Sequence, residues 1–163
     1  MPNDDIYLGN PNLKKANTPV EFTADQISEF IKCKKNPVYF AKKYVQIVNL
    51  DEGLVPFAPY KFQEKLIKRF HKHRFNICKM PRQTGKSTTV VAYLLHYAVF
   101  NDSVNIGILA NKAATARELL GRLQTAYENL PKWMQQGIIA WNKGSMELEN
   151  GSKILAASTS ASA

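Results

Sequence analysis

The spacing of apolar residues predicts two helices near the start of the chain. Apolar side chains recur at helical intervals over residues 24–48, and Thr23 followed by Gln26 has the spacing of a capping box, which favours a helix start at Thr23. Pro37 is expected to divide this stretch in two, because proline lacks the backbone N–H that a helix interior needs. Residues 49–60, with one glycine and two prolines, are predicted to form a loop.

A third helix, amphipathic, is predicted over residues 61–73. Its apolar stripe consists of Phe62, Leu66, Ile67 and Phe70, which recur at helical spacing. Its other face carries Lys61, Lys65, Lys68, Arg69 and Lys72. The pattern predicts a helix with one apolar side and one strongly basic side.

The pattern changes after this helix. A short apolar run, Phe75–Met80, is predicted to be a strand, and a polar loop at 81–88 follows it. The next stretch, Thr89–Phe100, is apolar on all sides, which predicts a buried helix. Val104–Ala110 is predicted to be a buried parallel strand.

The last part of the chain adds a helix and a hairpin. Asn111 is predicted to cap a helix over 112–130, which Pro131 ends. Asn150-Gly151 lies between alternating apolar and polar residues, which favours a hairpin. The order strand, loop, helix, strand, helix, hairpin predicts an α/β fold with a largely parallel sheet.

Composition adds a charge to this picture. The 163 residues are 45% hydrophobic, enough for one domain with its own core. The 22 lysines and arginines exceed the 13 acids and give a net charge of +9, which favours a polyanionic partner such as nucleic acid, although charge also serves solubility. Cys33 and Cys78 lack C-x-x-C spacing, so a zinc site is not expected.

The sequence suggests neither a targeting segment nor a membrane partner. Met1–Asn10 contains two aspartates and no apolar run, so no signal peptide is expected. No stretch approaches the ~20 consecutive apolar residues of a membrane span. An intracellular protein is therefore expected.

The loop after the predicted strand carries the candidate chemistry. It ends in Gly85-Lys86-Ser87 and opens a helix, which is the setting of a Walker A phosphate-binding loop. In such a loop backbone N–H groups face the phosphates of ATP, the lysine contacts the β- and γ-phosphates, and the serine hydroxyl binds Mg²⁺. The strict motif has glycine where this chain has Met80, so the match is imperfect. The alternative is a surface turn with a solvated lysine. The candidate ATP-binding residues are Gln83, Thr84, Gly85, Lys86, Ser87 and Thr88, with Ser87 as the metal ligand.

Two further side chains are candidates near this loop. Arg82 could stabilise charge on the phosphates in the transition state, or it could simply contact phosphate or solvent. Gln63 precedes the loop on the third helix and could bind the edge of adenine, although its spacing alone favours a solvated side chain.

Five stretches of the chain share a resemblance to a known family. They are LGNPNLKKANTPVEFT (8–23), YKFQEKL (60–66), CKMPRQTGKSTTVVAYLLHY (78–97), GILANKAATARELLGRLQTAYENLP (107–131) and WNKGSMELENGSKILAASTSASA (141–163). Together they resemble the large terminase subunit of tailed bacteriophages, of the myovirus type. That family's subunit is the motor that pumps DNA into a preformed capsid, with an ATPase in its N-terminal half and a nuclease in its C-terminal half.

The resemblance implies a fold, a cofactor and roles for named residues. It implies a P-loop NTPase of the RecA-like, additional-strand catalytic-glutamate class, with ATP and Mg²⁺ as ligands. The family's loop often lacks the first glycine and contains an arginine, so Met80 and Arg82 are expected variants. By resemblance Arg82 and Lys86 are catalytic, Gln63 contacts adenine, and Ser87 binds Mg²⁺.

The resemblance also implies a division of the chain and missing parts. Residues 1–22 correspond to an N-terminal arm, 23–60 to an N-terminal helical segment, and 61–163 to the first part of the ATPase domain. In the family an apolar Walker B strand ending in Asp-Glu follows, and neither this strand nor the nuclease domain is found in the 163 residues. The chain is therefore expected to be incomplete, and hydrolysis is expected to need downstream carboxylates.

Three functions remain as alternatives. The first is the N-terminal part of a DNA-packaging motor, with double-stranded DNA, the portal protein and the small terminase subunit as partners, a ring oligomer as the complete form, and the host cytoplasm as its location. The second is a fragment of a helicase-like P-loop ATPase. The third is a non-catalytic basic protein that binds DNA phosphates with its third helix.

Overall fold

The computed structural model describes residues 5–49 and 51–159. The first four residues of the predicted N-terminal arm (1–22) and the last four of the predicted ATPase segment (61–163) lie outside the described residues. The helices are α1 (Ala24–Lys35), α2 (Pro37–Tyr44), α3 (Lys61–Lys72), α4 (Lys86–Phe100) and α5 (Ala113–Glu128), with a 3-10 turn at Lys132–Met134. The strands are β1 (Ile6–Tyr7), β2 (Asn10–Lys14), β3 (Gln46–Asn49), β4 (Gly53–Pro56), β5 (Asn105–Ala110), β6 (Ile138–Trp141), β7 (Ser145–Leu148) and β8 (Lys153–Ser158). The chain is a mixed α/β fold, which confirms the predicted class.

The first two helices begin where the sequence predicts. Thr23 Oγ1 accepts the Gln26 N–H at 3.2 Å, and Gln26 Oε1 accepts the Thr23 N–H at 3.0 Å, so the capping box forms. Asn36 separates the two helices and accepts the Tyr39 N–H at 3.0 Å, which caps α2. Pro37 is the first residue of α2, where its missing N–H is tolerated. The predicted division at Pro37 is confirmed.

The predicted loop at 49–60 is wrong for Asn49 and Gly53–Pro56, which lie in the two strands of a hairpin, whereas residues 57–60 are irregular as predicted. β3 and β4 pair antiparallel, with Asn49 opposite Gly53. Gly53 has φ +74°, a left-handed conformation that suits the turn. The glycine that suggested a loop therefore marks the turn between two strands, and the preceding helix ends at Tyr44.

The N-terminal arm folds back as a small hairpin. β1 pairs antiparallel with β2, and Lys15 forms a parallel bridge with Ile138. The buried Gln135 side chain accepts the Lys14 N–H at 3.1 Å and donates to the Asn12 carbonyl at 2.9 Å. These hydrogen bonds anchor the arm to the segment after α5.

The main sheet is mixed, so the prediction of a largely parallel sheet is wrong. Its strand order is β5-β8-β7-β6, and only β5 and β8 are parallel among the described strands. The predicted hairpin at Asn150-Gly151 is confirmed, since β7 and β8 pair antiparallel and Gly151 has φ +82°. The unpredicted strand β6 then adds a second antiparallel pair.

The helices pack in successive layers on the main sheet. α5 packs against β5 and β8, α4 packs against α5, and α2 and α3 pack against α4. Leu95 of α4 and Leu120 of α5 are fully buried in the core. The predicted buried helix is confirmed, although it begins at Lys86 rather than Thr89. No helix among the described residues has the length and apolar character needed to cross a membrane.

The strand predicted at Phe75–Met80 is wrong. This segment has no strand partner among the described residues, and Phe75 and Ile77 are 83% and 100% exposed. A strand is defined by hydrogen bonds to a neighbour, so apolar composition alone does not form one. The segment connects α3 to the loop as irregular backbone.

Two predictions around β5 also fail. The strand is parallel to β8 as predicted, but it is not buried: Ile108 is its one buried residue, and Leu109 is 64% exposed. One edge of β5 is unpaired among the described strands, which leaves much of it open to solvent. Asn111 does not cap α5, because the cap position is Lys112 and no side chain caps it.

Candidate functional site

The loop at 81–88 turns sharply into α4. Gly85 is the residue before the helix and has φ +72° and ψ +22°, a left-handed conformation that glycine adopts readily. A Cβ on Gly85 would lie 2.5 Å from Gln63 Nε2, so the position has no room for a side chain as the residues now stand. The local structure thus gives a physical reason for glycine at this position.

The ammonium of Lys86 lies against the start of its own loop. Lys86 Nζ donates to the Met80 and Pro81 carbonyl oxygens, both at 2.7 Å. Thr84 Oγ1 donates to the same Pro81 oxygen at 3.0 Å. Since both partners of the ammonium are neutral, an anion in the loop would form stronger, charge-assisted hydrogen bonds with it.

The first turn of α4 presents free N–H groups. The backbone N–H groups of Lys86, Ser87 and Thr88 have no acceptor among the described residues, whereas the Thr89 N–H donates to the Gly85 carbonyl at 3.0 Å. Unpaired N–H groups at a helix start carry the positive end of the helix dipole and bind anions. Together with the Lys86 ammonium they form a positively charged end of the buried helix α4.

Gln63 lies beneath the loop rather than in solvent. Its side chain is 4% exposed, and its Nε2 donates to the Gly85 carbonyl at 3.4 Å. Its Oε1 accepts the Tyr60 N–H at 2.8 Å, which caps the start of α3. Each end of the amide therefore makes one hydrogen bond, and Gln63 connects the start of α3 to the residue that precedes α4.

The other predicted site residues border the loop without such contacts. Arg82 and Gln83 are exposed, and neither side chain has a hydrogen bond or ion pair with a described residue. Ser87 is exposed at the helix start, and Thr88 is half-buried. The loop therefore brings Thr84, Gly85, Lys86 and Ser87 together, while the guanidinium of Arg82 points to no described partner.

Carboxylates are absent from the contacts of this loop. Within the described residues no Asp or Glu side chain hydrogen-bonds to Lys86 or Ser87, and no cluster of three metal-binding His, Cys, Asp or Glu side chains occurs. Glu64, beside Gln63, pairs with Lys42 at 2.7 Å, and that hydrogen bond lowers the pKa of Glu64. The Ser87 hydroxyl at the start of α4 is of the oxygen type that binds a divalent cation.

Sequence reasoning missed the contact between Gln63 and Gly85. The available signal was the helix start at Tyr60, where a glutamine at the third helical position typically folds back onto the cap N–H. That spacing predicts a buttressing glutamine. It does not predict which loop the other end of the amide would reach.

A comparison with protein families supports the resemblance found in the sequence. The family described as "Terminase large subunit, T4likevirus-type, N-terminal" matches residues 77–163, which is more than half of the chain. The matched region begins just before the loop and includes α4, β5, α5 and the mixed sheet. Because the match includes the loop and the elements it positions, the chain belongs to the N-terminal family of T4-like terminase large subunits, the subunits of phage DNA packaging.

Proposed function

We propose that this chain binds ATP at the loop 81–88 as the N-terminal part of a DNA-packaging motor, with the fold of a RecA-like P-loop NTPase. The observation that carries the proposal is the position of Lys86. Its ammonium lies on two neutral carbonyl oxygens beside three unpaired helix N–H groups, inside the region matched to the terminase family. Such an arrangement favours a polyphosphate over a neutral ligand.

The proposal gives each loop residue a role. Lys86 leaves the two carbonyl oxygens and contacts the β- and γ-phosphates, and the N–H groups of Gly85, Lys86, Ser87 and Thr88 surround them. Thr84 helps to hold the shape of the loop through its hydrogen bond to the Pro81 carbonyl oxygen, and Gln83 belongs to the same nucleotide-binding turn. Gln63 positions the loop through Gly85. Since Gln63 is 4% exposed, it contacts adenine only if the residues that cover it move.

The Ser87 hydroxyl is the one protein donor proposed for Mg²⁺. When bound, the cation neutralises charge on the phosphates. Arg82 is free to move toward the transferred phosphate, because no described residue holds its side chain, and its guanidinium would stabilise charge that develops there. Turnover further requires carboxylates that position water and metal, and these are not among the described contacts of the loop.

The proposed partners follow from the packaging role. Double-stranded DNA is the substrate, the portal protein and the small terminase subunit are the protein partners, and the working form is a ring oligomer in the host cytoplasm during phage assembly. Family membership supports DNA and packaging partners in general terms. The specific partners are part of the proposal.

An equilibrium titration with a fluorescent ATP analogue and Mg²⁺ tests the binding claim. We expect saturable binding by the chain and a loss of at least about tenfold in affinity for Lys86→Ala, since a charge-assisted contact to phosphate is removed. Lys143→Ala is the matched control, because Lys143 is an exposed lysine in the turn between β6 and β7. Equal affinity of the two variants would reject the loop as the binding site.

A further inference from the structure

The helix α3 presents five cations on a single face. At ~100° per residue, Lys61, Lys65, Lys68, Arg69 and Lys72 fall within an arc of about 100° around the helix axis. All five side chains are exposed. The opposite side carries Gln63 and Ile67, which are 4% and 0% exposed. Because Gln63 and Ile67 are buried against the rest of the chain, the charged face of α3 points to solvent.

These cations are not neutralised within the chain. The ion pairs of the described residues involve Lys14, Lys42, Lys43, Arg122 and Lys153. None of the five cations of the α3 face takes part in an ion pair or a side-chain hydrogen bond with a described residue. The one acid on α3, Glu64, pairs with Lys42 at 2.7 Å, and Lys68 and Lys61 attract it at longer range. With five cations and one acid, the helix keeps a net positive charge for an external anion.

The positive charge continues beyond the end of the helix. Arg74 and Lys79 are exposed and likewise have no acidic partner among the described residues. The Arg74 guanidinium lies 5.3 Å from the centre of the exposed Phe75 ring. The segment between α3 and the loop thus adds two more exposed cations directly after the cationic helix in the sequence.

The scaffold beneath the cationic face is firmly packed. α3 packs against α2 and α4, and the Tyr93 hydroxyl of α4 donates to the Phe70 carbonyl at 3.1 Å. This packing argues against a membrane surface as the partner, since a basic amphipathic helix binds lipid by inserting its apolar face. Here Ile67 is fully buried and Leu66 and Phe70 are half-buried against the rest of the chain, which leaves Phe62 as the exposed residue of the apolar stripe. A row of cations on a helix that is fixed by packing is instead suited to a polyanion with regularly spaced charges.

We propose that this face of α3 binds the phosphate backbone of duplex DNA. The twelve residues of α3 extend about 17 Å, over which one DNA strand presents roughly five phosphates, a number that matches the five cations. The choice of DNA rests on the packaging function proposed above. The surface itself is separate from the nucleotide loop, because its cations lie on the side of α3 opposite Gln63.

The test compares two triple variants of equal charge. Lys65, Lys68 and Lys72 are changed together to Gln on the α3 face, and Lys34, Lys35 and Lys143 are changed together to Gln as the control. The control lysines are also exposed and without an ion pair among the described residues, but they do not share a face. Binding of a short fluorescein-labelled DNA duplex is followed by anisotropy between about 50 and 200 mM salt, the range in which phosphate contacts dominate.

We expect the α3 variant to bind the duplex at least about tenfold more weakly and the control to change less than about threefold. The dependence of log K on log salt concentration should become shallower by about 2 to 3 in the α3 variant, since each lost phosphate contact accounts for about 0.9. Circular dichroism and thermal melting confirm that both variants stay folded.

Three results would overturn the proposal. Equal losses in both triple variants would mean that diffuse charge binds the DNA. Unchanged affinity in the α3 variant would remove this face from the interface. Unchanged DNA affinity combined with lost binding to phosphatidylserine vesicles would point to a membrane partner. ATP-analogue binding is measured in the α3 variant as well. If that binding is retained, any of these results concerns the DNA surface alone and not the nucleotide proposal.

Discussion

Gln63 is the side chain whose structural role differs most from its predicted one. Sequence analysis gave it a solvated position or a contact with adenine, and the structure places it in the core between α3 and the loop. Its amide donates to the carbonyl of Gly85, which also accepts from Thr89 Oγ1 at 2.9 Å. A single carbonyl is thus fixed from two helices, and the loop shape depends on both.

Replacing Gln63 tests this buttress. Gln63→Ala leaves the Tyr60 N–H without its side-chain acceptor and removes one donor to Gly85, so we expect a loss of about 1–3 kcal/mol in the free energy of unfolding. Gln124→Ala is the control, since Gln124 makes one hydrogen bond, at 2.9 Å, to the Asn142 carbonyl on the surface. Urea unfolding measures both variants.

The variant Gln63→Glu separates the two ends of the amide. Glutamate keeps an acceptor for the Tyr60 N–H but cannot donate to Gly85 and adds negative charge beneath the loop. We expect it to weaken ATP-analogue binding more than Gln63→Ala does. Equal nucleotide affinities of Gln63→Glu and the unmodified chain would show that Gln63 does not position the loop.

At the scale of elements, the sequence predicts best where the signal is local. The capping box at Thr23, the break at Pro37 and the turn at Asn150-Gly151 all formed as predicted, because each depends on contacts between near neighbours. The buried helix after the loop was also predictable, since its apolar residues surround it on all sides.

The sequence predicts poorly where an element depends on a distant partner. Phe75–Met80 has the composition of a strand but pairs with no described strand. β3 and β4 form a hairpin where the end of a helix and the start of a loop were expected. One of the two antiparallel pairs of the main sheet involves β6, which gave no clear signal in the sequence. In the site, glycine and lysine were predictable from spacing, whereas the hydrogen bond of Gln63 to Gly85 joins residues in separate elements.

The packing of α4 against α1 contains a buried histidine. His96 is 1% exposed, and its Nε2 lies 2.9 Å from the Cys33 carbonyl. Its Nδ1 has no partner within the described residues, and the nearest titratable ring is that of His71, at 5.9 Å. Burial lowers the pKa of His96 from 6.5 to about 4, so the neutral form is the one that the folded state accommodates.

This histidine predicts a pH dependence of stability. The pKa of His96 is lower in the folded state than in the unfolded chain, so neutral His96 favours folding. Its contribution to the free energy of unfolding is fully present above pH 6.5, is lost as the pH falls through about 4, and amounts to at most about 3 kcal/mol. Unfolding by urea between these pH values measures the slope. His96→Phe should flatten it, and the exposed His73→Gln should not; an unchanged slope in His96→Phe would reject the assignment.

At the scale of the whole molecule, one helix connects the two proposed ligands. α3 presents its cations outward and holds Gly85 through Gln63 on its inner side. A shift of α3 on DNA binding would therefore act on the loop that opens α4. Under the two proposals, α3 would give a packaging subunit a short path between DNA on its outer side and nucleotide at the loop on its inner side.

Hydrogen exchange of the loop amides, followed by mass spectrometry with and without Mg²⁺ and ATP, tests the central claim most directly. The N–H groups of Lys86, Ser87 and Thr88 have no acceptor among the described residues, so phosphate binding should slow their exchange strongly in peptides that cover residues 81–89. The turn at 142–145 should be unaffected, and Lys86→Ala should abolish the protection. If saturating ATP left exchange at 81–89 unchanged, or protected only another part of the chain, this loop would not be the nucleotide site.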